Sequence, residues 1–393
     1  MTSSVPTRAS YARQMIPGQQ PSYRAVVDLV VVGGGAMGLA TAWQAASRGH
    51  EVVLLERFEQ GHHRGASHGA TRNLNLAYDD ADYVALAQEA RVRWDALADE
   101  TGTPLLDLVG VVNHGRPDLL RRMRALHEEA GVESEFVGPD EAARRWAGLR
   151  FETDVLHVPG SGRIRAADAL RALARAATSR GARLRWSTPV TSLHVEGADR
   201  VRVVTAEAEI VARRVVVTAG AWTGDVVGAL VPLPRLVVTQ EQPAHFAVSD
   251  PDAVWPSFNH RAQPGRAAES WWPGTVYGML TPGEGVKAGW HGAGPVVHPD
   301  RRSFEPVPEQ LEQLRRYARE WLPGVDAEVA SPISCTYTTT DDEDFVLDRA
   351  GPVVVGAGFS GHGFKFTPLI GSILVDLVEG GEAPARFRRL GRP

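Results

Sequence analysis

Three glycines, Gly33, Gly35 and Gly38, stand between a largely β-branched run, Val26 to Val32, and a helical pattern from Ala36 to Arg48 that Gly49 ends. Each glycine has a physical task. Gly33 permits a tight turn, Gly35 lets a pyrophosphate approach the backbone, and Gly38 lets helix and strand pack closely. The helix start, with Ala36 and Met37, offers unpaired N–H groups to phosphate charge. A second strand, Glu51 to Glu56, ends on an acid 18 residues past Gly38, placed to accept hydrogen bonds from a ribose, with Arg57 beside it. A carboxylate there repels a 2′-phosphate. The unit predicts a dinucleotide bound at the edge of a parallel sheet, and leaves FAD and NAD undistinguished.

The remaining pattern is mixed α/β. Helical periodicity marks Tyr83–Glu100, Pro117–Ala130, Ala166–Arg180 and Pro368–Leu377. Segments 183–187, 190–196, 201–206 and 208–211 read as a small antiparallel meander. Strands at 214–218 and 352–356 return to the first sheet. The loop from Gln60 to Arg72, dense in His, Gly and Ser, is long enough to predict a functional role. Net charge is −5, from 42 basic and 47 acidic residues, so there is no broad basic field for nucleic acid. A single cysteine, Cys335, rules out an intrachain disulfide and favours a reducing, cytoplasmic setting. No apolar stretch is long enough to span a membrane, residues 1–24 read as a flexible arm, and no metal-ligand cluster is evident.

Four further segments carry a resemblance: Ser67-His-Gly-Ala-Thr-Arg72, Lys287-Ala-Gly-Trp-His291, Cys335-Thr-Tyr-Thr338 and Gly358-Phe-Ser-Gly-His-Gly-Phe-Lys-Phe366. In this order, over residues 26 to about 380, the chain resembles the monomeric sarcosine oxidase family and its relatives acting on N-methyl amino acids, pipecolate and fructosyl amines. The resemblance implies FAD, in a discontinuous Rossmann-like domain (25–108, 167–240 and 336–393) interleaved with a substrate domain (109–166 and 241–335) built on a mixed or antiparallel sheet. It implies a thioether from Cys335 to the flavin and a backbone contact from Val190 to the adenine. It sets Ser67, His68, Thr71 and Arg72 against the cofactor, where a cation stabilises negative charge on the ring. Gly358, Gly361, His362, Gly363 and Lys365 form the returning cofactor loop. Lys287 stands where the family promotes reaction with oxygen. Tyr277, His291, Tyr337 and Lys365 face the substrate, the first two joining Lys287, Arg72 and His68 as the catalytic set.

One position departs. The family's carboxylate-binding arginine falls at Asn75, and an amide cannot replace a bidentate guanidinium. The expected activity is therefore oxidation of a secondary or N-substituted amine to an imine by a monomeric enzyme, oxygen becoming peroxide, with the carboxylate optional. Asn73 and Asn75 offer neutral hydrogen bonds, and Trp271, Trp272 and Trp290 either shape a larger pocket or fill core. A dehydrogenase passing electrons to a carrier, or an oxidase for fructosyl-amine or non-carboxylate substrates, is the alternative.

Overall fold

The computed structural model describes residues 26–391; the expected arm at 1–24 lies outside them. Val27–Val32, buried almost throughout, is the centre of a parallel sheet. Val52–Leu55 and then Arg183–Arg185 follow on one side, Glu209–Val217 and Val353–Ala357 on the other, all parallel. Val346–Ala350 closes that edge antiparallel. Strands from the start, middle and end of the chain thus share one sheet, and their near-continuous Val/Leu content fits burial on both faces. The helix Ala36–Ser47 is buried on almost every side because the sheet, the helix Ala166–Ser179 and the helix Thr367–Val378 enclose it.

Two expectations change. Arg183–Arg185 belongs to the parallel sheet, pairing with Val52–Leu55, rather than to the meander. The last meander segment and the returning strand are one long strand, Glu209–Val217, whose first half pairs antiparallel with Arg200–Thr205 and whose second half pairs parallel with Val353–Ala357.

The second large sheet has eight strands. Val111–His114, Glu135–Val137 and Val155–Val158 come from one stretch, and Ala244–Val248, Ser257–His260, Val276–Thr281, Gly285–Trp290 and Val325–Pro332 from another. The two sets join through a parallel pairing of Val111–His114 with Ser257–His260. The sheet's outer face packs on its own core with the helix Pro308–Trp321. Trp290 is buried there, and Trp271 and Trp272 pack against the same cluster, so these tryptophans fill core and do not line the large cavity. No helix among the described residues is long and apolar enough to cross a membrane.

Candidate active site

A cavity of about 1470 Å³ runs from the first strand–helix turn to the inner face of the second sheet. Its nucleotide end is set by steric necessity. Gly33 adopts φ +107°, and a Cβ there would lie 2.5 Å from the Thr218 carbonyl oxygen. At Gly38 a Cβ would come within 1.8 Å of the Gly33 oxygen, so only glycine lets this helix pack so near the turn. The helix carries no acid in its first turn, leaving its positive end uncompensated toward the cavity. Gly35 and Met37 line this end, and the Ala36 N–H donates to Ser67 Oγ at 3.0 Å. Glu56, buried, accepts from the N–H of Gly34 at 2.6 Å and of Phe58 at 2.9 Å. Val190 and Trp186 add wall. Arg57 also lines the cavity, its guanidinium paired with Asp300 at 2.9 Å. A glycine-lined turn, a positive helix end and a fixed buried carboxylate fit the pyrophosphate and ribose of FAD.

Across the middle runs the 60–72 loop. Arg72 pins it, donating to the carbonyls of Thr71 at 2.9 Å and Ala66 at 2.7 Å as well as to that of His68. The two ring-facing candidates of this loop differ in charge. Burial, with Arg72 adding to it, lowers His68 to about 4, so His68 is neutral and the cation is Arg72. Thr71 does not line the cavity: its hydroxyl bonds Thr281 Oγ1 at 2.7 Å and its carbonyl accepts from Lys287 Nζ at 2.7 Å. Cys335 pairs in register with Glu241 and lines the cavity with its sulfur 3.8 Å from the Ala66 carbonyl oxygen.

The far end follows a period of two. Asn259, Arg261, Thr275, Tyr277, Met279, Lys287 and His291 all line the cavity from adjacent strands or strand ends, while Phe258, Val276, Ala288 and Trp290 between them enter the core. Gly289 makes room for the Tyr277 ring, whose phenol oxygen would lie 2.9 Å from a Cβ there. Lys287 is buried, and desolvation, reinforced by Arg72, lowers it to about 7. Tyr277 is pushed upward by burial. His291 Nδ1 lies 3.3 Å from the Tyr337 hydroxyl, and burial, then Lys365 and Arg261, holds it near 4.

Opposite, Gly358, Gly361 and Gly363 carry the returning loop along the cavity. Lys365 Nζ donates to the Tyr78 hydroxyl and to the His362 carbonyl, each at 2.8 Å, and burial lowers it to about 7. The Tyr78 hydroxyl lies 3.3 Å from His362 Nδ1, and burial holds His362 near 3. Asn75 borders the cavity, but both ends of its amide engage the backbone of Ala77, at 3.1 and 3.3 Å. Asn73 donates instead to Asn259 Oδ1 at 3.1 Å. Tyr78, Asn259 and Arg261 escaped the sequence reading. For the last two the available signal was alternation in Ser257-Phe-Asn-His-Arg261. No group of three His, Cys, Asp or Glu able to hold a metal occurs among the described residues.

The family described as FAD dependent oxidoreductase matches residues 28–377, nearly the whole chain. The chain belongs to that family. It is thus an FAD-dependent oxidoreductase, and the nicotinamide reading is set aside. It is 30% identical over 371 residues to monomeric sarcosine oxidase of Bacillus sp. (strain NS-129), covering 90% of this chain and 93% of that one. N-methyl-L-tryptophan oxidase of Yersinia pestis (strain Pestoides F) is 30% identical over 384 residues, 92% and 99% of the two chains. Among solved structures, a Tyr258Phe mutant of NikD, described as an unusual amino acid oxidase essential for nikkomycin biosynthesis, superposes with a TM-score of 0.82 at 30% identity, over 93% of this chain and 97% of that one. The FAD-dependent oxidoreductase fold is therefore shared over most of the chain.

Proposed function

We propose that this enzyme oxidises the C–N bond of a secondary or N-substituted amine to an imine, with oxygen as acceptor and hydrogen peroxide as product, on FAD tethered through Cys335. The observation that carries the reading is a single cavity joining a dinucleotide cradle to a sheet face bearing Tyr277, Lys287 and His291 opposite Lys365. The oxidase relatives at 30% identity support it.

When bound, FAD accepts the equivalent of a hydride from the carbon beside the substrate nitrogen. The chain's residues prepare that nitrogen. Arg72, Arg261, Lys287 and Lys365 line the cavity, while His68, His291 and His362 stay neutral at pH 7. An ammonium among such neighbours is disfavoured, so the amine is held with its lone pair free. Tyr277 and Tyr337, whose protons burial retains, supply hydroxyls to orient it. Lys287, fixed on the Thr71 carbonyl, in its protonated form places a positive charge that stabilises developing superoxide. Cys335 presents a nucleophilic sulfur to the cavity, beside the loop that Arg72 pins. The lone cysteine accords with our placing the enzyme in the cytoplasm.

A peroxide assay across N-methyl amino acids, cyclic imino acids, fructosyl amines and uncharged amines tests this. Peroxide formed in step with one class of amine is expected. Consumption of amine only when an artificial electron carrier is supplied would replace oxygen with a carrier as acceptor.

A further inference from the structure

Arg261 follows directly on the strand Ser257–His260, its N–H donating to the His114 carbonyl at 3.0 Å. His260 pairs with Val276 and Val276 with Trp290. One step further, the same register aligns Arg261, Thr275 and His291, with the His291 N–H donating to the Thr275 carbonyl at 2.8 Å. These residues share one face of the sheet, Arg261 and His291 being two strand spacings, about 10 Å, apart. The face is the one that lines the cavity.

The guanidinium is not satisfied by the protein. Arg261 Nη1 is sealed from solvent with no hydrogen-bond partner, and none of the ion pairs among the described residues includes Arg261. The acid that bears on it, Asp79, is paired with Arg122 at 3.4 Å. Tyr78, Arg116, His114 and His291 are further titratable or charged neighbours, and burial is the largest influence on it. Arg261 is half-buried, and a sealed guanidinium nitrogen left unpaired is costly, while the planar fork matches a carboxylate. Lys365 is a second cation here, for both it and Arg261 disfavour protonation of His291. Asn75, by contrast, has its amide committed to Ala77.

We infer that Arg261 binds the substrate's carboxylate in place of the arginine missing at position 75, so that the amine substrate is an amino acid anchored against the end of the sheet. This rests on the amine-oxidase reading and makes the carboxylate a requirement of it. Arg261 sets specificity, with Lys365 as the second anchor.

The test is calorimetric titration of the FAD-loaded chain with benzoate, which has the carboxylate and no oxidisable amine, and with benzamide as its uncharged counterpart. Wild type prefers benzoate, and Arg261→Gln weakens benzoate roughly 10- to 100-fold, so that preference for it over benzamide falls by a similar factor. Arg261→Lys, which keeps the charge without the fork, lies between the two and carries the test if the glutamine variant fails to load flavin. Benzoate binding unchanged in whichever variant loads flavin, or no preference for benzoate in wild type, overturns the assignment. Failure of every amine to yield peroxide would instead sink the amine-oxidase reading, while the titration still reports on Arg261.

Discussion

Lys287→Met removes a buried amine held on the Thr71 carbonyl without changing the strand that carries it. In rapid-mixing experiments it should slow reaction of the substrate-reduced enzyme with oxygen by roughly 100-fold or more, leaving reduction by substrate less affected. An equal loss in both half-reactions would move Lys287 from oxygen to substrate. Cys335→Ser should leave a chain that still binds FAD but loses its colour on acid precipitation, whereas wild type keeps colour with the protein. The place of these residues on the cavity was legible because each sits in a short, distinctive motif: Lys-x-Gly-Trp-His for Lys287, Cys-Thr-Tyr-Thr for Cys335. Arg261 sits in no such motif, and only its alternation with buried Phe258 and His260 marks it. Asn75 was read as a possible ligand for want of its local turn; a side chain that bonds the backbone two residues on cannot be told from a free one by type alone.

At the scale of elements, the first turn and its helix were legible because sterics dictate the glycines. Gly38→Ala would force a Cβ into the Gly33 carbonyl and should destabilise the fold by about 1–3 kcal/mol or more, measurable as a lowered melting temperature and less flavin per chain. Normal flavin content and melting would mean the helix can back away from the turn. Arg183–Arg185 was misassigned because three residues with alternating charge carry no sign of parallel or antiparallel pairing; the register with Val52–Leu55 is a tertiary choice. The tryptophans show the same limit. Trp290 lies between Gly289, which leaves room for the Tyr277 ring, and cavity-lining His291, and only its strand's register decides that it enters the core.

Taken whole, the molecule encloses many neutral imidazoles. His68 and His291 are held near 4 and His362 near 3, against an ordinary 6.5, chiefly by burial. As pH falls through 6.5 the unfolded chain takes up these protons and the folded chain does not until about 4 or below. Their contribution to stability is complete above the unfolded value and is lost as pH falls toward the folded ones. Melting temperature should therefore drop between pH 6.5 and 4, and His291→Asn should flatten that drop; an identical profile in the variant would show that other groups control it. Enclosure also joins the two sheets, since the parallel sheet lines the glycine-turn end and the second sheet the far end of one cavity. The proposed reaction requires electrons to pass from amine to bound flavin and on to oxygen. Mixing the purified chain anaerobically with the amine that gives peroxide should bleach the visible flavin band, and admitting air should restore it with one peroxide formed per flavin reoxidised. A band that persists under excess amine, or bleaches and returns only with an added carrier, would contradict it.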